Sequence, residues 1–334
     1  MATDRPAPRC WVLSEGMAGT ENQCLALAAA LGVEAEVKRA AAKLPWRLLG
    51  AGVAALPPGF AAGGRDRLAP PWPDLVIASG RKCAGLALAV KRASGGKSVA
   101  VFVQDPRVGR ERFDLIVAPR HDGIEGVNIF ATRGALSRVT DAALAQAADE
   151  FAPRFADLPR PLAACLIGGA SRRHRFSPAD GRALGATLAR LSAETGCGLL
   201  ITASRRTPDA SFAAFEAALG QAPAHIWRGG GVNPYLGYLA LADHLLVTAD
   251  SVSMVSDACA TGKPVYILPM AGRGSAQFER FFAAFEAEDT VRPFAGKLES
   301  WSYTPLDDCA RAADEIRRRL AVKTVQQNGR EGVD

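Results

Sequence analysis

Chemistry-bearing residues gather where short apolar runs end. Glu15 and Glu21 flank the segment Gly16-Met17-Ala18-Gly19-Thr20. A carboxylate beside a ligand cleft is a candidate general base. The glycines let backbone approach a ligand, and the helix that follows offers free N–H groups. The spacing is not Gly-x-Gly-x-x-Gly, so the dinucleotide fingerprint is absent; as plain structure the segment is a glycine turn capped by Thr20. A second cluster reads Gly168-Gly169-Ala170-Ser171-Arg172-Arg173-His174-Arg175. Small residues leave room for a diphosphate, and Ser171, Arg172 and Arg173 can hydrogen-bond its oxygens. The alternative is a solvated basic turn. A third cluster, Asp250-Ser251-Val252-Ser253-Met254, enters a helix that carries Asp257. Ser251 and Ser253 are capping residues, the first helical N–H groups suit a phosphate, and Asp257, about one turn in, reaches a ribose diol. The competing reading is a capped helix ending at Gly262, with Asp257 an exposed charge.

Further run ends carry the same residue types: Ser79-Gly80-Arg81-Lys82, Gln104-Asp105-Pro106-Arg107, Pro119-Arg120-His121-Asp122 and Ser204-Arg205-Arg206-Thr207. Such recurrence of Arg, Ser and Gly predicts a phosphorylated ligand. Metal chemistry has no footing, because the four histidines lie far apart and the seven cysteines are scattered without a Cys-x-x-Cys pair. An Asp-x-Asp motif is missing too. The formal charge of +6 fits phosphates or an anionic membrane surface and is too small to argue for nucleic acid. Lys38 to Leu49 mixes basic residues with Trp46 and leucines, and an uncharged stretch follows from Leu48 to Gly64. This segment either lies on an anionic bilayer or packs on its own domain.

The elements that must position these residues alternate along the chain. Strand candidates are Cys10 to Leu13, Asp74 to Ala78, Val99 to Val103, Leu115 to Ala118, Leu162 to Ile167, Leu199 to Ala203, His225 to Trp227, His244 to Thr248 and Pro264 to Leu268. Helical patterns run between them, over 22–31, 141–151 and 178–195, and a last helix is expected near 306–320. Buried apolar strands alternating with helices mean parallel sheets, whose ligands bind beyond the strands' carboxyl ends. A length of 334 residues suits two domains. The proline-containing stretch near 152–161 divides them into 1–155 and 156–334, with the last helix expected to pack back on the first. The polar N-terminus is unlike a signal peptide, and Leu48 to Gly64 holds too many glycines and prolines for a membrane helix. A reducing cytoplasm is the expected location, with a peripheral position on the inner face of the cytoplasmic membrane if the basic segment meets lipid.

Trp11 to Gly16 with Gly19 to Gln23, Val103 to Arg107, Pro119 to Asp122 and Thr248 to Lys263 resemble the "elongated mitochondria" mitochondrial-fission family of plants and proteobacteria, over roughly 10–320. The chain is also distantly similar to GT-B glycosyltransferases of the lipid-directed kind. That resemblance implies two Rossmann-like domains with parallel sheets facing a central cleft. It implies a nucleotide-sugar donor on the second domain, held by Gly169, Ser171, Arg172, Arg173, Ser204, Arg205, Asp250, Ser251, Ser253, Met254 and Asp257. Asp257 followed by Gly262-Lys263-Pro264 matches the family's acidic residue and turn. The first domain would take a lipid-linked acceptor near Gly16, Gly19, Arg81, Asp105, Arg107 and His121. Several such enzymes carry a histidine as base in the first loop; here it is missing, and the role falls to Glu21, with Glu15 second. The implied reaction is metal-independent, inverting sugar transfer without a cofactor. A nucleotide-sugar 2-epimerase and a non-enzymatic membrane scaffold are the alternatives.

Overall fold

The structure is a computed structural model and describes residues 8–171, 173–272 and 275–331. It divides into two compact units, one of residues 1–138 with 307–334, the other of Val139–Leu306.

The first unit contains β1 (Cys10–Ser14), α1 (Ala18–Ala30), β2 (Ala35–Ala42), α2 (Pro58–Ala61), β3 (Ala62–Gly64), β4 (Leu75–Ser79), α3 (Arg81–Ala93), β5 (Val99–Val103), β6 (Leu115–Pro119) and β7 (Ile129–Thr132). Its sheet runs β3-β2-β1-β4-β5-β6-β7. All neighbours are parallel except β3, which pairs antiparallel with β2. β1, β4, β5 and β6 are buried along their whole length, as strands covered on both faces must be. One face carries α1 and the C-terminal helix Asp308–Glu331, whose Ala312, Ala313 and Ile316 lie in the same apolar cluster as Val12, Leu27 and Ile77. The other carries α3 and the irregular helix Trp46–Ala55.

The second unit contains α4 (Asp141–Phe151), β8 (Leu162–Ile167), α5 (Pro178–Thr195), β9 (Gly198–Ala203), α6 (Asp209–Leu219), β10 (Ala224–Trp227), α7 (Tyr235–Leu241), β11 (His244–Thr248), α8 (Val252–Cys259), β12 (Val265–Leu268), α9 (Ala276–Ala287) and β13 (Arg292–Pro293). Its sheet is parallel throughout, in the order β10-β9-β8-β11-β12-β13. α5 starts on a capping box: Ser177 Oγ accepts from the Asp180 amide while the Asp180 carboxylate accepts from the Ser177 amide.

The structure moves two boundaries. The division between units falls at Arg138/Val139, ahead of the expected 155. The reason is that Ala147, Phe151 and Phe155, on and just after α4, belong to the second core, with the Phe155 and Tyr238 ring centroids 5.4 Å apart. The first helix starts at Ala18, with Met17 in the cap position; Thr20 is no cap, since its hydroxyl donates to the Met17 carbonyl at 3.2 Å.

Candidate functional site

Both sheets reverse their strand order once, between β1 and β4 and between β8 and β11. Loops leaving adjacent strands at such a point turn to opposite faces and open a crevice at the carboxyl edge, where ligands of parallel sheets bind.

In the second unit that crevice is tied together by one buried carboxylate. Asp250, after β11, accepts from the Gly169 amide at 3.0 Å, from Arg206 Nη2 at 2.7 Å and from Thr248 Oγ1 at 2.7 Å. Its side chain has no exposure, so it organises the loops and does not present a surface to a ligand. The glycines before it are there for close approach. A Cβ on Gly168 would lie 2.0 Å from the Asp250 carboxylate, and one on Gly169 would lie 2.2 Å from the Arg206 backbone. Sequence reasoning gave Gly169 to a diphosphate and named Arg205. Both arginines are exposed, and it is Arg206 whose guanidinium pairs with Asp250.

Ser171 and Ser204 serve their own turns: Ser171 Oγ accepts from the Arg173 and His174 amides, and Ser204 Oγ from the Arg206 amide. Arg173 and Arg175 are exposed on this loop, and Arg172 lies outside the described residues. The loop docks on the segment after β12, where the Arg175 amide donates to the Ala271 carbonyl. Next to it opens a cavity of about 370 Å³ whose lining includes His174, Ala249, Met270, Gly272, Phe278 and Phe282. That volume is within the range of small-molecule sites.

At the same edge, Ser251 caps α8 by accepting from the Met254 amide at 3.3 Å. The Val252 and Ser253 amides are then the first-turn donors, at the positive end of the helix dipole. Asp257 sits one turn further, half-buried, and Oδ2 accepts from the Tyr235 hydroxyl at 3.0 Å. Burial, and then the Asp257 charge, push the Tyr235 pKa well up, so the phenol stays a donor and holds the carboxylate in place.

Tyr235 opens α7 just after a segment sequence reasoning passed over: Arg228-Gly229-Gly230-Gly231-Val232-Asn233, between β10 and α7. All three glycines have left-handed φ, and the Trp227 indole donates to the Gly230 carbonyl at 3.0 Å. Three glycines between a strand and a helix were the available signal. The Gly262-Lys263-Pro264 turn, by contrast, precedes β12 at the opposite edge of the sheet. Lys263 Nζ donates there to the Leu239 and Ala240 carbonyls, closing the end of α7, and burial brings its pKa down to about 8.

In the first unit both candidate bases are engaged. Glu21 forms a two-point ion pair with Arg39 of β2, Nη2 to Oε1 at 2.7 Å and Nε to Oε2 at 3.1 Å. The Arg39 hydrogen bonds hold the Glu21 carboxyl below its usual range although burial opposes them. A carboxylate so held is a weakened base. Glu15 lies in the β1/β4 crevice, where Oε1 accepts from the Lys82 amide at 2.9 Å in the first turn of α3 and Oε2 meets Lys82 Nζ at 3.1 Å. Gly80 is required for this contact, because its φ is 87° and a Cβ would stand 2.6 Å from Glu15 Oε1. Gly16 makes a left-handed turn with open space around it, Gly19 falls inside α1, and Arg81 is exposed.

Beyond β5, Gln104 and Arg107 both adopt left-handed φ, at 74° and 68°. Strain of this kind collects at functional sites. Between them Asp105 accepts from Arg110 Nη2 at 2.7 Å and the Arg107 amide at 2.9 Å. Burial raises its pKa, and these bonds with the two guanidinium charges outweigh it, leaving it below the usual value. His121 is buried after β6, its Nε2 3.8 Å from Asp122 Oδ1. Among the described residues no group of three His, Cys, Asp or Glu side chains stands ready for a metal ion.

Two parallel-sheet α/β units with ligand-type loops at their carboxyl edges define a protein of the GT-B-like fold class. A putative UDP-N-acetylglucosamine 2-epimerase from Listeria monocytogenes superposes with a TM-score of 0.55, covering 96% of this chain and 98% of its own, at 12% identity. So low an identity speaks for fold alone. The chain belongs to the mitochondrial fission ELM1 family, whose model matches residues 18–320. The mitochondrial fission protein ELM1 of Arabidopsis thaliana is 35% identical over 278 residues, 75% of this chain and 65% of the plant protein. The chain thus spans just under two thirds of that relative. Protein RP120 of Rickettsia prowazekii (strain Madrid E), itself uncharacterized, is 26% identical over 289 residues, covering 75% of this chain and 80% of its own.

Proposed function

We propose that this chain is a glycosyltransferase that moves a sugar from a nucleotide-sugar donor to a lipid-linked acceptor without a metal ion. The observation that carries the reading is the carboxyl edge of the second sheet at its switch point. There the first-turn amides and Asp257 of α8, the latter held by Tyr235, and the exposed Arg173 and Arg175 lie beside the loops that Asp250 fixes. Amides and guanidinium groups suit a diphosphate, and a fixed carboxylate suits a ribose diol.

In the proposed reaction a carboxylate takes the proton of the acceptor hydroxyl. The oxygen attacks the anomeric carbon, the bond from that carbon to the diphosphate oxygen breaks, and the nucleoside diphosphate leaves against the α8 amides and arginines. Glu21 is poorly suited to this because both its oxygens are held by Arg39. Glu15 is the better assignment: among the described residues its Oε2 is held only by Lys82, a side chain half exposed to solvent.

The test is product analysis with a panel of nucleotide sugars, with and without a membrane lipid extract. Transfer requires the extract and releases nucleoside diphosphate. Conversion of the donor sugar alone would replace the proposal with a 2-epimerase. No binding of any nucleotide would leave the scaffold reading.

A further inference from the structure

We propose that the segment Lys43 to Phe60 of the first unit is a contact surface for an anionic phospholipid bilayer. Its inner face is satisfied by the protein. Val53 and Ala54 are buried against α3, whose Gly85 leaves no room for a Cβ because the Gly50 carbonyl and the Val53 side chain would both stand 2.7 Å away. Trp46, half-buried, packs on Phe60 with ring centroids 5.2 Å apart. The chain kinks at Gly50, where φ is 53° and ψ −121°.

The outer face is a different matter. Leu44, Leu48, Leu49 and Phe60 are 56%, 77%, 51% and 53% exposed. They make up half of the large hydrophobic side chains exposed among the described residues, gathered in one segment. Single exposed leucines are ordinary, but a cluster marks a contact surface.

Charge selects the partner. From Lys43 to Gly64 the only charged residues are Lys43 and Arg47, both cations and both exposed. Two more reach the segment from outside it: Arg112 Nη1 donates to the Ala51 carbonyl at 2.9 Å, and Arg92 Nη1 to the Ala54 carbonyl at 3.4 Å. Lys43 Nζ stands 5.7 Å from the Phe60 ring centroid. An apolar face rimmed by cations and free of carboxylates within the segment, with a tryptophan at its border, matches acyl chains beneath anionic headgroups. A protein partner would be expected to meet carboxylates or amides here, and the segment offers few side-chain groups for either. Lys38 and Arg39, grouped with this stretch by sequence, are not part of it. They lie on β2, paired with Glu36 and Glu21.

The experiment is cosedimentation of the full chain with vesicles of phosphatidylcholine alone and of phosphatidylcholine mixed with phosphatidylglycerol. The chain should bind the mixed vesicles and bind phosphatidylcholine weakly. Leu48→Ser combined with Leu49→Ser should cut binding at least about tenfold, since most of the apolar contact goes. Arg47→Glu should cut binding to the mixed vesicles by more than about fivefold and leave the weak phosphatidylcholine binding unchanged. These side chains are exposed, and thermal unfolding by circular dichroism should show each variant folded as the parent is. Failure of the parent to bind mixed vesicles would overturn the proposal, as would folded variants that bind like the parent. A parent dimer by light scattering that Leu48→Ser with Leu49→Ser converts to monomer would assign the surface to a second copy instead.

Discussion

At the scale of single residues, the two carboxylates that follow β1 have separate tasks. Glu21 holds β2 to α1 through Arg39, and Glu15 holds the start of α3. Glu15→Gln should lower turnover by about 10²–10⁴ at nearly unchanged donor affinity, whereas Glu21→Gln should keep turnover within a few-fold. A steady-state comparison of the two variants checks this, and equal losses would refute the assignment. Glu21 should instead show in stability. Its pKa is depressed in the fold, so its contribution is complete above the ordinary value of 4.5 and is lost as pH falls through the depressed value. Urea midpoints of parent and Glu21→Gln should therefore differ at neutral pH and converge as pH falls below the ordinary carboxylate range. The glycines divide in the same way. Gly169→Ala forces a Cβ onto the Arg206 backbone and should cost about 1–3 kcal/mol or more; Gly19, with nothing within 4 Å, should tolerate alanine. Urea denaturation of the pair tests it, and a change in Gly169→Ala as small as in Gly19→Ala would refute it. None of these partners was legible beforehand. Arg39 lies 18 residues from Glu21 on a strand without an apolar signal, and which of Arg205 and Arg206 forms the ion pair depends on Asp250, 44 residues past Arg206.

At the scale of elements, legibility followed burial. The strands read in advance, such as LVIAS of β4 and VAVFV of β5, are buried at every position and so are written in continuous apolar residues. β2 reads AEVKRAAA and is largely half-buried, β3 is only AGG, and β13 is two residues long, so the pattern gave no sign of them. β7, short and only half-buried over Ile129 and Phe130, escaped for the same reason. The clusters at strand ends were nevertheless placed correctly, because glycine, serine and arginine mark a carboxyl edge even where individual roles stay hidden. The C-terminal helix supplies a test at this level. Asp308 Oδ2 accepts from the Arg133 amide at 2.9 Å and the Gly134 amide at 3.0 Å, fastening the helix start to the loop after β7. Asp308→Ala removes a buried acceptor shared by two amides and should destabilise the first unit by about 1–3 kcal/mol. Hydrogen exchange across 308–322 and 129–135 should quicken together. If the helix quickens alone, Asp308 caps it without fastening it.

At the scale of the whole molecule, the donor reading is checked by a thermal-shift panel of UDP, GDP, ADP and CDP on the intact chain. A nucleotide at a hundred times its dissociation constant should add about 2.7 kcal/mol of stability. Asp257→Ala should weaken that nucleotide by about 1.5–3 kcal/mol, the worth of a hydrogen bond to a charged group. Unchanged affinity would move the ribose elsewhere. No helix among the described residues is long and apolar enough to cross a bilayer. The route of the chain through its two units has a consequence for biosynthesis. Residues 139–306 form the second unit as one uninterrupted stretch, while the first keeps Ala312, Ala313 and Ile316 of its core for the end. On the ribosome the first-made sheet must therefore wait, with the apolar surface beside Val12, Leu27 and Ile77 uncovered, until the later-made unit has left the exit tunnel. A nascent chain stalled before residue 307 would carry a finished second unit and an exposed first one, a natural client for a holding chaperone.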